Sequence, residues 1–311
     1  MAAVLRIGTR GSPLALAMTA EIAQALRATH PALAAPDAIE TVTITTTGDR
    51  VQDRPLSAIG GKGLFTKEID EALLAGRVDL AVNSAKDMPT LLPDGIVLAA
   101  MPRREDPRDV FVSLIAPNLA ALPSGARIGT ASLRRQAQIL HKRPDLKVVV
   151  FRGNVGTRLR KLRDGEAEAT LLALAGLRRL GRGDAATAIV AVDDILPAVG
   201  QGAMALTCRA DDARVQAFLA ALDHRPTHLA VVAERALLEV LDGSCHTPIA
   251  ALAEMDGSGR LSLVGLLAKP DGSAVVVTRQ GGPAETPAAA RALGLAAGHD
   301  LKGRAGPGFI G

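Results

Sequence analysis

Two short segments with nearly the same sequence indicate how this chain folds. Residues 6–12 read RIGTRGS, and residues 127–132 read RIGTAS. In each, a short apolar strand leads to Gly-Thr, then to a Ser, and then to a helical pattern. Ser12 can cap a helix that has Pro13 at its first position, and Ser132 can cap a second helix. The repetition predicts two copies of one strand–helix unit.

A second pair of segments supports this repeat. Residues 73–81 read LLAGRVDLA, and residues 162–170 read LRDGEAEAT. Each is typical of a helix that ends at Gly and turns into a strand. Strands that alternate with helices predict two similar α/β lobes with mostly parallel sheets around a cleft. Ligands of such sheets bind beyond the carboxyl ends of the strands. Chance similarity between short Gly-containing turns is the alternative.

The pattern changes from about residue 230. Strand-like runs at 249–254, 261–268 and 274–278 are separated by Asp-Gly turns, and an Ala-rich segment at 287–297 predicts a final helix. We therefore expect a small C-terminal α+β domain after the two lobes.

Composition and charge limit the classes of ligand. Apolar residues make up 48% of the 311-residue chain and charged residues 22%, which is typical of a globular protein. Aromatic residues make up only 2%, which disfavours a protein that stacks single-stranded nucleic acid. Residues 134–182 carry thirteen Lys and Arg against four Asp and Glu, within a chain whose net charge is +4. This segment favours an anionic ligand.

Other patterns argue against metals, membranes and export. The two cysteines form no disulfide framework, and neither they nor the six histidines have metal-ligand spacing. The longest charge-free run, at 110–126, is broken by two prolines and predicts no membrane span. The N-terminus has no signal-peptide pattern, so we expect a cytoplasmic protein. No heptad or long apolar patch indicates assembly, and we expect a monomer.

Cys245 and Asp87 are the residues best placed to carry chemistry. Cys245 follows Ser244 and precedes His246 in a Gly/Ser/Pro loop, where a thiol can be accessible and activated. Its spacing alone favours an inert thiol, and Cys208, in an apolar run, reads as a core residue. Asp87 follows a buried strand, where a carboxylate could stabilise a developing cation or move protons. A turn-forming Asp before proline is the simpler reading of Asp87 taken alone.

Glycine-rich turns and arginines supply candidate anion sites. The loop at 60–65 reads GGKGLF, lacks P-loop spacing, and could present Lys62 to an anion or serve only as a connector. Residues 152–158 read RGNVGTR and open a helix, which suits carboxylates or phosphates. Arg179 could extend the basic surface or be a solvated helix residue.

These motifs together resemble the hydroxymethylbilane synthase (porphobilinogen deaminase) family across nearly the whole chain. The matching segments are 6–15, 60–65, 83–89, 104–109, 129–136, 146–158, 196–203 and the loop at Cys245. Many relatives have His at the position of Asn83, Lys at that of Ala58, and Gly at that of Ser244.

The resemblance implies a three-domain protein whose first two lobes are similar to type-II periplasmic binding proteins. It implies that lobe 1 comprises 1–102 with 200–220, that lobe 2 comprises 103–199, and that a C-terminal domain at 221–311 carries the cofactor cysteine. It further implies an enzyme that condenses four porphobilinogen molecules head to tail, with loss of ammonia, and then hydrolyses off hydroxymethylbilane.

The resemblance also implies a cofactor and roles for individual residues. Dipyrromethane, itself two linked porphobilinogen units, would be joined to Cys245 through a thioether, and Asp87 would be the catalytic carboxylate. The cofactor-binding positions are Lys86, Thr130, Ser132, Arg134 and Arg135. The substrate-binding positions are Arg10, Ser12, Lys62, Phe65, Arg152, Arg158 and Arg179. The main alternative is a two-lobed anion-binding protein without catalysis.

Overall fold

A computed structural model describes residues 5–50, 63–241, 247–306 and 309 of the protein. Within them the strands are β1 (Leu5–Thr9), β2 (Ile39–Thr43), β3 (Leu80–Ser84), β4 (Ile96–Ala100), β5 (Asp109–Ser113), β6 (Arg127–Gly129), β7 (Lys147–Val149), β8 (Ala169–Ala173), β9 (Ala188–Ile189), β10 (Met204–Arg209), β11 (Ile249–Met255), β12 (Arg260–Ala268) and β13 (Val275–Pro283). The α-helices are α1 (Pro13–Thr29), α2 (Thr47–Arg50), α3 (Lys67–Leu74), α4 (Leu133–Lys142), α5 (Val155–Arg163), α6 (Leu174–Arg179), α7 (Ala213–Ala220), α8 (Arg225–Val240) and α9 (Pro287–Ala305).

The chain forms two compact units. The described residues of the first unit are 5–50, 63–105 and 203–228, and its sheet has the strand order β2-β1-β3-β10-β4. The second unit contains residues 106–202 and the described part of the chain after 228, and it holds two sheets. We call the first sheet with its helices lobe 1, the sheet of order β7-β6-β8-β5-β9 with its helices lobe 2, and the remaining sheet with α8 and α9 the C-terminal layer.

The two lobes share one topology. In lobe 1, β1 pairs in parallel with β2 and β3, and β10 is antiparallel to both β3 and β4. In lobe 2, β6 pairs in parallel with β7 and β8, and β5 is antiparallel to both β8 and β9. In each sheet four strands therefore run one way and one runs the other. The prediction of two similar α/β lobes with mostly parallel sheets is confirmed.

The repeated sequence segments form the same strand–helix unit in each lobe. The Ser12 side chain accepts a hydrogen bond from the Ala15 N–H at 3.3 Å, and that of Ser132 accepts one from the Arg135 N–H at 3.4 Å. Both serines thus cap the helix that follows the first strand of the repeat. After α3 and α5 the chain turns through glycines in the left-handed region, with φ of +65° at Gly76 and +75° at Gly165.

Aliphatic side chains fill both faces of the lobe-1 sheet. On one face Leu5, Ile7 and residues of α1 such as Ile22 form a single cluster of buried residues. On the other face Ile69 and Leu73 of α3 pack with buried residues of the same sheet. Because a central strand is covered on both sides, its residues read as a nearly continuous apolar run. The side chains left to face solvent or ligand are those at the strand ends.

The C-terminal layer contains the antiparallel strands β11, β12 and β13, packed on α8 and α9. The third strand is longer than predicted, because β13 pairs with β12 from Val275 to Pro283 rather than ending at residue 278. The last helix continues to Ala305 instead of 297. No proline interrupts the Ala-rich sequence before that point, so the helix can extend. Among the described residues, no helix is both long enough and apolar enough to cross a membrane.

Two glycines of α9 give a test of this packing. Gly294 faces α8 so closely that an added Cβ would overlap the carbonyl oxygen of Ala233, whereas a Cβ at the exposed Gly303 would meet nothing within 4 Å. We expect Gly294→Ala to destabilise the protein by about 1–3 kcal/mol through overpacking. Gly303→Ala should stabilise it by about 0.5–1 kcal/mol through helix propensity. Chemical denaturation of both variants measures this, and equal effects of the same sign would contradict the packing described here.

Candidate active site

Lobe 1 places predicted site residues around one pocket at the carboxyl ends of its parallel strands. Arg10 and Ser12 follow β1, and Asp87 ends the 3₁₀ turn that follows β3. The pocket is small and partly open to solvent. It is lined by Arg10, Ser12, Leu14, Ala15, Met18, Phe65, Val82, Asn83, Ser84 and Asp87. The structure therefore brings together four of the predicted site residues.

Arg10 is held in place by a carboxylate and an aromatic ring. Its guanidinium donates to both carboxylate oxygens of Asp49, with an Nη2–Oδ1 distance of 2.5 Å, and lies 4.2 Å from the centroid of the Phe65 ring. Asp49 also accepts a hydrogen bond from the Thr46 hydroxyl at 2.7 Å. Burial raises the pKa of Asp49, but the hydrogen bonds from Arg10 and Thr46 outweigh it and hold that pKa below its usual value. Asp49 therefore stays ionised and fixes Arg10 for recognition of an anion.

Lobe 2 collects its predicted residues at the corresponding strand ends. Thr130 and Ser132 follow β6, Arg152 and Arg158 follow β7, and Arg179 is the last residue of α6, which begins directly after β8. These three parallel strands are neighbours in the sheet. Because their carboxyl ends meet at one edge, the residues that follow them share that edge.

Local hydrogen bonds orient the arginines of lobe 2. Asn154 caps α5 by accepting from the Thr157 N–H at 2.9 Å, and Arg158 donates from Nε to the Gly153 carbonyl oxygen at 2.9 Å. Arg179 donates to the Gly202 carbonyl oxygen at 3.1 Å. The hydrogen bonds of Arg158 and Arg179 fix the orientation of their guanidinium groups.

Arg134 and Arg135 are buried and share one carboxylate. Arg134 donates to Asp109 Oδ2 at 2.9 Å, Arg135 donates to Asp109 Oδ1 at 2.8 Å, and Gln201 Nε2 donates to the same Oδ1 at 2.8 Å. Asp109 is fully buried, and burial alone would raise its pKa. The two arginines lower the pKa by more than burial raises it and hold it well below its usual range. Arg134 also donates to the Leu196 carbonyl oxygen at 2.6 Å.

This network changes what the sequence alone suggested about the basic segment. Arg134 is 6% exposed and Arg135 is 5% exposed, and one of their two charges is neutralised by Asp109. The sequence reasoning assigned no role to Asp109, Gln201 or Asp49. Asp109 and Gln201 lie in segments 104–109 and 196–203, both of which match the family motifs. The sequence therefore marks these segments, but it does not show that Asp109 binds Arg134, Arg135 and Gln201.

The remaining predicted residues are placed as follows. Lys62 and Cys245 lie outside the described residues, and their assignments stay predictions. Lys86 is exposed and does not line the lobe-1 pocket. Cys208 is buried, which confirms the prediction of a core residue, and burial raises the pKa of its thiol to about 11. The part of the chain that the structure describes holds no cluster of three or more potential metal ligands.

The fold and these two sets of residues define a class of protein: two α/β lobes that each present cations where their parallel strands end, with the Asp87 carboxylate in the lobe-1 pocket. Comparison with known proteins identifies the family within that class. The family model "Porphobilinogen deaminase, dipyromethane cofactor binding domain" matches residues 5–217, and the model "Porphobilinogen deaminase, C-terminal domain" matches residues 228–303. The chain belongs to the porphobilinogen deaminase family.

Curated relatives agree with this assignment over nearly the full chain. The chloroplastic porphobilinogen deaminase of Oryza sativa subsp. japonica is 56% identical, covering 99% of this chain and 86% of the relative. The porphobilinogen deaminase of Nitrobacter winogradskyi is 55% identical, covering 98% of this chain and 94% of the relative.

Solved structures with a related arrangement are more distant. A periplasmic substrate-binding protein of an ABC transporter from Coxiella burnetii has a TM-score of 0.43 at 17% identity and covers 74% of this chain and 94% of its own. A nutrient-binding protein from Burkholderia cenocepacia bound to methionine has a TM-score of 0.43 at 14% identity, and the match covers 70% of this chain and 90% of that protein.

Removing the charge of Asp109 tests the buried network. In Asp109→Asn two buried guanidiniums lose their counter-charge, and we expect a loss of about 3–5 kcal/mol in the free energy of unfolding. Asp193→Asn is the control, because the Asp193 side chain is 91% exposed and its contact with Arg279, at 3.6 Å, is a surface ion pair. Denaturation midpoints of the two variants provide the measurement. Similar midpoints would show that Asp109 does not hold the arginines.

Proposed function

We infer that the chain carries out the hydroxymethylbilane synthase reaction. Four porphobilinogen molecules are condensed head to tail with loss of ammonia, and the linear tetrapyrrole is released by hydrolysis. The observation that carries this inference is membership of the porphobilinogen deaminase family across both matched domains. A two-lobed protein that only binds anions is not favoured, because relatives at 53–56% identity over nearly the full chain are all named as this deaminase.

The residues of lobe 2 fit the dipyrromethane cofactor named in the family description. Each of its pyrrole units carries acetate and propionate groups, so the group is a polyanion. The edge of lobe 2 offers Arg152, Arg158 and Arg179 as donors, and Asp109 neutralises only one of the charges of Arg134 and Arg135. Cations with several N–H donors are the expected partners of carboxylates.

We propose the following cofactor contacts. Thr130, Ser132, Arg134 and Arg135 are assigned to the cofactor, Lys86 is assigned to it as well, and Cys245 would carry it through a thioether. When bound, the dipyrromethane supplies the pyrrole carbon to which the next unit is joined. The chain's own contribution is to bind the carboxylates and to fix the ring positions.

Asp87 is proposed as the catalytic carboxylate. It lines the lobe-1 pocket together with Arg10 and Ser12. Its carboxylate can accept hydrogen bonds from a pyrrole N–H and can stabilise the positive charge that develops on the substrate as ammonia leaves. Because the carboxylate of Asp87 is already in place, the site need not reorganise when the positive charge develops on the substrate.

Substrate carboxylates are assigned to the remaining cations and donors. Arg10 and Ser12 lie in the lobe-1 pocket, and Phe65 supports the Arg10 guanidinium from one face. Lys62, Arg152, Arg158 and Arg179 are assigned the same task. Ser12 already accepts the Ala15 N–H, and its hydroxyl hydrogen can still be donated.

We also propose a domain organisation and an oligomeric state for the chain. We propose lobe 1 at 1–102 with 200–220, lobe 2 at 103–199, and a C-terminal domain at 221–311, in a monomer that binds no nucleic acid. The cytoplasmic location inferred from the sequence stays a prediction, since the rice and pea relatives are named chloroplastic.

Removal of the Asp87 carboxylate should abolish turnover without unfolding the protein. We expect Asp87→Ala to lower kcat by a factor of about 10²–10⁴, because the group acts on charge that develops in the transition state. The exposed Asp94, in the loop that follows in the same lobe, gives the control variant Asp94→Ala, with near-normal rates expected. The rate of porphobilinogen consumption and the thermal midpoint are measured for each. Near-normal kcat in Asp87→Ala would remove Asp87 from the proposed mechanism.

Intact-mass spectrometry tests the cofactor attachment. The wild-type protein should carry an adduct of two pyrrole units, and Cys245→Ser should lack it. Cys208→Ser is the matched control and should keep the adduct, because Cys208 is buried in the lobe-1 core. An unmodified wild-type mass in several fresh preparations would contradict the attachment to Cys245.

A further inference from the structure

The lobe-1 pocket contains a polar side chain to which the proposed mechanism gives no role. Asn83 lies on β3, opposite Ala205 of the antiparallel strand β10, and it lines the pocket beside Asp87. It is only 5% exposed. Within the described residues its side-chain Nδ2 is buried and has no hydrogen-bond partner.

A buried amide donor without a partner is costly. Leaving such a group unsatisfied destabilises the protein, and most buried polar groups in native proteins are paired. Pairing with Ala205 of β10 fixes the backbone of Asn83, so the side chain has little freedom to find a partner elsewhere. A partner supplied from outside the chain is therefore expected.

Two other polar side chains of the pocket, those of Arg10 and Ser12, already make hydrogen bonds within lobe 1. The Arg10 guanidinium is bound to Asp49, and the Ser12 hydroxyl caps α1. Asp87 is a carboxylate, which accepts hydrogen bonds when ionised and does not donate them. Asn83 contributes a neutral donor, which recognises an acceptor without forming an ion pair with the neighbouring Asp87.

We propose that Asn83 is a specificity-determining residue, whose Nδ2 donates a hydrogen bond to a carboxylate oxygen of the pyrrole substrate in the lobe-1 pocket. This inference rests on the proposed function. A site that donates a hydrogen bond discriminates against analogues that lack the acceptor, because the buried donor then stays unpaired.

A buried water is the competing occupant. Asp70 Oδ1 in the first turn of α3, which packs against β3, is buried and also lacks a hydrogen-bond partner within the described residues. A water shared with Asp70 could satisfy Asn83 from inside the lobe, provided that it found two or more polar partners. In that case Asn83 would support the fold and leave substrate affinity unaffected.

Two substitutions at Asn83 separate these explanations. Asn83→Ala should raise KM for porphobilinogen about tenfold, which corresponds to one hydrogen bond to a charged group, and should leave kcat within about twofold. Asn83→Asp should raise KM further, because it replaces the donor by a negative charge that repels the substrate carboxylate. Thr207→Val is the matched control: Thr207 lies on β10 with an equally buried, unpartnered hydroxyl, but it does not line the pocket. Its KM should not change.

Binding without turnover provides the second measurement. Porphobilinogen is titrated calorimetrically into the single variant Asp87→Asn and into the double variant that also carries Asn83→Ala. We expect the Kd of the double variant to be about tenfold higher than that of the single variant. Unchanged KM and Kd, with or without a lower thermal midpoint, would overturn the assignment and favour the buried water. If the wild-type protein did not consume porphobilinogen at all, the proposed function would fail and this inference would fail with it.

Discussion

Parallel pairing of three adjacent strands in each lobe is the constraint on which the site depends. In lobe 1, β2, β1 and β3 run the same way, and in lobe 2, β7, β6 and β8 do. Segments far apart in the sequence, such as 130–132, 152–158 and 174–179, must then leave the sheet at one edge. Because the strands are covered on both faces, charged side chains can gather only where the strands end. The position of the cations thus follows from backbone hydrogen bonding and from burial.

The second constraint is that these cations need counter-charges before any ligand binds. A buried guanidinium without a counter-charge is strongly destabilising, and two adjacent ones repel each other. Asp109 meets this need for Arg134 and Arg135, and Asp49 meets it for Arg10. In both lobes a carboxylate fixes the geometry of the arginine while the other N–H donors of the guanidinium stay chemically suited to an anion. Because these arginine side chains are already fixed, they lose less conformational entropy when a ligand binds.

The sequence was sufficient for the parts of the fold that local chemistry decides. Ser12 and Ser132 cap helices, and Gly76 and Gly165 turn the chain between α3 or α5 and the next strand, all as their local sequences predict. It was insufficient where partners are distant in the chain. Nothing near Asp109 in sequence shows that two arginines about 25 residues later share its carboxylate. The same holds for β13, whose last five residues are held by pairing with β12 rather than by a strong strand propensity of their own.

The lobe-1 pocket shows why a neutral donor has a place among charges. A second cation close to Asp87 would pair with it and reduce the negative charge available to a developing positive centre. Asp49 already holds the Arg10 cation. An amide N–H such as that of Asn83 can contact a carboxylate of the ligand without forming an ion pair with Asp87. Recognition of an anion and stabilisation of a cation can therefore take place in one small pocket, because the two tasks are given to groups of different charge.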